Sequence, residues 1–186
     1  MADRGPASTE SITGYDRLKR PHYLIALGVG AISGLIAAFG ETLYIGIAAA
    51  TLLVSGSLFV FALVVAIAPL VEESVKPLGL LLLKEDERLR FDLPSWALLG
   101  SLAGVGFGFA ENVVYFYSAL PYGLGVAGML FFMRGLLTAP LHAITTTITG
   151  FGIGVWQKSG NARLLLVCLV IAMTIHGSMN LFVSLV

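Results

Sequence analysis

Glu72, Glu73 and Lys76 stand inside the run APLVEESVKPLGLLLL (68–83), and other apolar runs hold Glu111 beside Asn112, His142 four residues before Thr146, and His176 four residues before Asn180. Carboxylates and imidazoles are the side chains that exchange protons and ligate metals near neutral pH. A charge at the centre of a bilayer costs about 2.5 to 3.5 kcal/mol on insertion scales, so residues of this kind in a membrane segment point to function. Glu72 and Glu73 are not both cheaply ionised there, and Lys76 can stabilise one charge. The set can activate water directly, or it can hold a metal through His142, His176 and a glutamate while another glutamate acts as base. The H-E-x-x-H pattern is absent, so local spacing does not select the metal version.

The elements that must position these groups are membrane helices. Of the 186 residues 57% are apolar and only 12% charged, and the mean hydropathy is +0.90. An average soluble domain has roughly 25% charged residues. Several apolar runs approach the roughly 20 residues that an α-helix needs to cross a bilayer, and the period-two alternation of a β-barrel is missing. The expected fold is all-α, a polytopic bundle of five to six spans with one polar site among four of them. Spans are expected near 23–39, 57–83, 96–118, 128–156 and 164–185. The segment 43–55 is short for a crossing and reads as a re-entrant piece or a sixth span, with the non-spanning form favoured. Residues 1–21 read as a flexible polar tail and not as a cleaved leader, and 22–186 as a single membrane domain. Zero net charge and the lack of a basic patch argue against nucleic acid. The lone Cys168 builds neither a disulfide nor a cysteine metal site and reads as packing.

Depth tests whether the polar groups meet. At 1.5 Å per residue, Glu72 lies about 17 Å from the Lys84 end of its helix, Glu111 about 22 Å from Trp96 on the same face, His142 about 21 Å from Trp156, and His176 about 18 Å from Leu164. Four antiparallel helices thus bring them to one layer. Small residues in GSLAGVGFGFAEN (100–112) and TTTITGFGIG (145–154) allow the helices to approach closely. Glu41 and Arg134 fall near span edges. Taken singly, Lys76 can be a mere neutraliser of a neighbouring glutamate, a buried histidine a packing residue, and Thr145, Thr146, Thr147 and Thr149 helix-packing groups. Trp96, Trp156 and Tyr122 read as interfacial anchors.

The ordered set EESVK (72–76), GFGFAEN (106–112), HAITT (142–146) and HGSMN (176–180), with Arg134 ahead of Pro140 and His142, resembles the four motifs of the PrsW intramembrane proteases over about residues 60–182. That family is grouped with the type II CAAX prenyl endopeptidases and the non-catalytic anterior-pharynx-defective subunit of γ-secretase. The CAAX enzymes carry histidine where Glu111 stands, so this chain resembles the PrsW branch. The resemblance implies an endopeptidase in a prokaryotic cell membrane that cleaves membrane-tethered regulators, such as anti-sigma factors, on the extracytoplasmic side. It implies Glu72, Glu73, Glu111, His142 and His176 as active-site residues, with Lys76, Asn112, Arg134, Thr146 and Asn180 in support. Glu111, His142 and His176 are the candidate ligands if the cofactor is zinc, and glutamate-activated water is the metal-free version.

Two other classes compete. A silent scaffold of the same fold is disfavoured because both glutamates and both histidines are retained. A proton-coupled transporter needs a polar path to both faces, whereas LGLLLL (78–83) and LLLVCLVIAM (164–173) are apolar.

Sidedness follows from charge. The loops with Lys84, Arg88, Arg90, Lys158 and Arg163 lie on one side and LPYGLG (120–125) carries no Lys or Arg, which makes the first side cytoplasmic. A membrane-impermeant thiol reagent applied from outside should label cysteine at Ser118 and not at Glu87. The reverse pattern inverts the topology.

Overall fold

The computed structural model describes residues 14–52 and 61–185, and they form helices and their connections, with no strand among them. Helix α1 is Arg20–Leu52. A π-helical turn, Leu63–Ile67, leads into α2, Ala68–Val75. Then come α3, Leu78–Glu85, α4, Leu93–Ala119, α5, Leu124–Ser159, and α6, Arg163–Leu185.

Four helices are long and apolar enough to cross a membrane: Arg20–Glu41 within α1, Leu93–Tyr122, Leu124–Ser159 and Arg163–Leu185. The chain is an integral membrane protein. The expected 57–83 span is a broken helix in its described part. Pro77 cannot donate a backbone hydrogen bond, so the chain turns at Lys76 and Pro77 and restarts as α3. The expected separate element at 43–55 is replaced by a continuous α1, whose 33 residues extend about 50 Å, beyond the roughly 30 Å hydrocarbon core. Residues 1–13 of the expected tail and 53–60 lie outside the described residues.

The π turn has a traceable cause. The Ala68 N–H reaches back to the Leu63 carbonyl, and Pro69 has no N–H to offer Val64. Asn180 of α6 supplies the missing donor, its Nδ2 lying 2.9 Å from the Val64 oxygen. Gly177 lets α6 touch the Val65 carbonyl, where a Cβ would stand 2.6 Å away. The irregular turn is thereby satisfied within protein, as non-helical backbone in a membrane must be.

Helices α4 and α5 pack most intimately. A Cβ on Gly104 would strike the His142 carbonyl, and one on Gly150 the Trp96 carbonyl, so the two backbones touch. Helix α1 meets α4 in the same way at Gly30 and Gly34. Asp92 starts α4 by accepting from the Ser95 N–H at 2.9 Å.

The basic end is closed by an apolar core containing Leu80, Leu83, Phe91, Trp96, Leu99, Ile153 and Leu165. Trp96 is therefore a core residue, fully buried, rather than the interfacial anchor its sequence position suggests. Gln157 explains this, because it accepts from the indole N–H at 3.0 Å and donates to the Leu89 carbonyl at 2.7 Å. Lys84 sits 3.7 Å from the Trp156 ring centroid. Asp16 exchanges bonds with the Arg90 backbone at 2.6 and 2.7 Å, which puts the N-terminal segment on the same face as the Lys84 loop. Buried Cys168 packs against Gly152.

Gly104→Ala should push α4 from α5 and destabilise the protein by about 1 to 3 kcal/mol, the scale of overpacking. Gly128→Ala, which meets open space, should be neutral or mildly stabilising. Thermal unfolding in detergent checks both, and an unchanged Gly104→Ala protein contradicts the close packing.

Candidate active site

The expected convergence occurs. Glu72 and Glu73 come from α2, Glu111 from α4, His142 from α5 and His176 from α6, and all five are buried. Sequence reasoning could not separate the two adjacent glutamates. Their surroundings do.

Glu73 is wholly enclosed, and its Oε1 accepts from Lys76 Nζ at 2.6 Å, His176 Nδ1 at 2.8 Å and Thr145 Oγ1 at 3.1 Å. Three donors on one oxygen fix a carboxylate as an anchor. Lys76 is itself fully buried, 3.4 Å from Glu72 Oε2, 3.5 Å from His176 Nδ1 and 4.6 Å from the Phe107 ring centroid. Glu72, by contrast, lines a cavity of ≈ 610 Å³ from which Glu73 is absent.

Glu111 holds His142 from the other side. Its Oε2 is 3.0 Å from His142 Nε2, and its Oε1 is 2.9 Å from Arg134 Nη2. The Arg134 guanidinium lies 3.7 Å from the Tyr115 ring centroid. A neutral His142 that donates through Nε2 to Glu111 has its lone pair on Nδ1, and a neutral His176 that donates through Nδ1 to Glu73 has it on Nε2. Each imidazole is thus oriented by a carboxylate, the arrangement that surrounds metal-bound histidines.

Two atoms test the fit to a metal. His142 Nδ1 and Glu72 Oε2 are 3.8 Å apart, enclosed, and without a hydrogen bond. Facing lone pairs are relieved by a cation. The residues fit such an ion: ligand atoms of Glu72, His142 and His176 lie within 4.8 Å of one another. The trio differs from the one expected, since Glu72 stands with the two histidines while Glu111 is occupied by Arg134 and His142. Charge agrees, because four carboxylates (Glu41, Glu72, Glu73 and Glu111) face two cations, Lys76 and Arg134, and a divalent ion would balance a fully ionised set.

Other expected supports have different tasks. Asn112 Nδ2 donates to the Phe131 carbonyl at 2.9 Å and ties α4 to α5. Thr146 Oγ1 is buried without a partner, and the neighbouring Thr145 makes the contact to Glu73. Asn180 Nδ2 is committed to Val64. Arg134 is an internal ion-pair partner and not an edge residue. Sequence reasoning missed Glu41, whose carboxylate lies within 4.8 Å of those of Glu72 and Glu111. The clue was the apolar run resuming at Leu43, which places Glu41 within a helix instead of at its end.

Buried carboxylates and imidazoles thus gather beside a cavity within a bundle of apolar helices. Residues 19–186 match the family model of the PrsW family intramembrane metalloproteases, so the chain belongs to that family and is an intramembrane protease. No curated protein and no solved structure is matched by the chain.

Lys76→Met would leave Glu73 and Glu72 without their cation and should cost about 3 to 5 kcal/mol, the scale for breaking a buried pair. Adding Glu73→Gln should recover much of the loss. Denaturant titration in detergent reads both, and a Lys76→Met protein as stable as wild type contradicts the pairing.

Proposed function

We propose that the protein hydrolyses a peptide bond of a membrane-anchored protein at a locally unwound stretch, with Glu72 as the reacting carboxylate. The observation that carries this reading is the division of labour in the glutamate pair: Glu73 Oε1 is bound by three donors, whereas Glu72 lines the cavity, its Oε2 lying 3.8 Å from His142 Nδ1 and 3.9 Å from His176 Nδ1.

Glu72, His142 and His176 would hold a divalent metal, with zinc the best match to two imidazoles and a carboxylate. When bound, it supplies a Lewis acid that polarises a carbonyl and acidifies water. The protein's own groups do the rest. Glu111 and Glu73 keep the imidazoles in their tautomers and hold their planes. The Glu72 oxygen that does not hold the metal would take one proton from the attacking water while that water's oxygen bonds to the carbonyl carbon, and the same proton would pass to the leaving nitrogen as the C–N bond breaks. Lys76 is the buried counter-ion of both adjacent glutamates, 3.4 Å from Glu72 and 2.6 Å from Glu73.

The substrate must unwind first, because a helical peptide bond is shielded by its own hydrogen bonds. The cavity between α1, the π turn with α2, and α6 has mostly apolar walls suited to such a segment. The apolar core at the basic end favours a site entered from the opposite face, where the resemblance places regulator cleavage.

The experiment is cleavage of a panel of single-span peptides by purified protein, with metal content measured in parallel. Glu72→Gln should remain folded and lose at least about 100-fold in rate, the lower end of a general-base contribution. Undiminished cleavage by the folded variant contradicts the role of Glu72. Chelation should abolish activity and zinc restore it, and full activity in metal-free protein contradicts the metal assignment.

A further inference from the structure

We propose that Glu41 and Arg134 form a main-chain clamp for the unwound substrate, Glu41 accepting a backbone N–H and Arg134 donating to a backbone carbonyl. This rests on the peptidase reading and specifies how the substrate is held.

An unwound segment inside a membrane exposes N–H and C=O groups that lipid cannot satisfy. The cavity walls, formed by residues such as Ile36, Leu63, Ile67, Val71, Met179 and Val183, offer them nothing. Most of the polar groups there are already engaged. Both Glu111 oxygens are taken. The Thr138 and Ser184 hydroxyls donate to their own helices at 2.8 and 2.7 Å, Asn180 Nδ2 serves Val64, and Glu72, His142 and His176 form the reaction centre.

Two charged groups have capacity left. Glu41 lines the cavity and meets the Glu72 carboxyl through a side-chain hydrogen bond, while its Oε1 is enclosed without a partner among the described residues. Arg134 also lines the cavity, pairs with Glu111 through Nη2 at 2.9 Å, and has an enclosed Nε–H without a partner. Tyr115 stacking holds the guanidinium plane. Both groups flank Glu111, beside the reaction centre, so an acceptor and a donor stand together where one extended peptide presents a donor and an acceptor. Charged partners make hydrogen bonds about twice as strong as neutral ones, which suits a site that must draw a strand out of a helix.

The test measures affinity for fluorescent single-span peptides by anisotropy, on ice and before turnover accumulates, with wild-type protein, Glu41→Leu and Glu41→Gln. A matched series replaces one backbone amide at a time by an ester, which removes a single N–H. Glu41→Leu should bind the parent peptide about 10-fold or more weakly, the scale of one lost hydrogen bond to a charged group. One ester should weaken wild-type binding similarly and show no further loss with Glu41→Leu. Glu41→Gln, which keeps a carbonyl acceptor, should recover part of the affinity, and metal content should be unchanged in both variants. The clamp is overturned by full affinity in Glu41→Leu, by equal weakening toward every ester, by loss of metal in Glu41→Leu, or by wild-type protein that binds none of the peptides. Peptides that bind in the expected pattern but are never cut contradict the peptidase reading and leave the clamp in place.

Discussion

The contact between Lys76 and Glu73, 2.6 Å long and wholly enclosed, is the constraint on which the site depends. A carboxylate and an ammonium taken out of water need each other, and their remaining bonding capacity must also be filled. Thr145 from α5 and His176 from α6 fill Glu73 Oε1, while its Oε2 is enclosed without a hydrogen-bond partner. One local pair, three residues apart on one helix, thereby fixes two other helices and the plane of an imidazole. It also encloses Glu73 and leaves Glu72 facing the cavity.

The fold answers this demand with backbone irregularities and small residues. The π turn at Leu63–Ile67 and the break at Pro77 isolate a short helix carrying both glutamates and the lysine. Asn180 and Gly177 dock that helix to α6, four and one residues beyond His176, so the segment that supplies one imidazole also secures the carboxylates. Backbone contact at Gly104 delivers His142 to Glu111 across α4 and α5. Packing at the basic end is largely apolar, and Glu72, Glu73, Glu111, His142 and His176 gather in the other part of the bundle.

Much of this was legible in the sequence. Rise per residue brought Glu72, Glu111, His142 and His176 to one depth, since helix geometry is nearly invariant in a membrane. Hydropathy found the helices, but it could not show that α1 runs through Glu41, because a charge at the end of an apolar run looks like a boundary. Nor could spacing tell Glu72 from Glu73, or Thr145 from Thr146. Those choices turn on rotation about a helix axis, about 100° per residue, and on where α2 is interrupted. Trp96 was misread for a similar reason: its position fits an interfacial belt, and only its distant partner Gln157 reveals a core residue.

In the proposed mechanism Glu72, His142 and His176 hold one divalent metal, and Glu111 and Glu73 orient the two imidazoles. Zinc-edge X-ray absorption on the zinc-loaded protein tests this most directly. It should show one ion per chain with two imidazole nitrogens at about 2.0 to 2.1 Å, a carboxylate oxygen at a similar distance and no sulfur, and Glu111→Gln should keep the metal where His142→Ala loses an imidazole. A spectrum unaltered by His142→Ala, or zinc bound through sulfur, would contradict it.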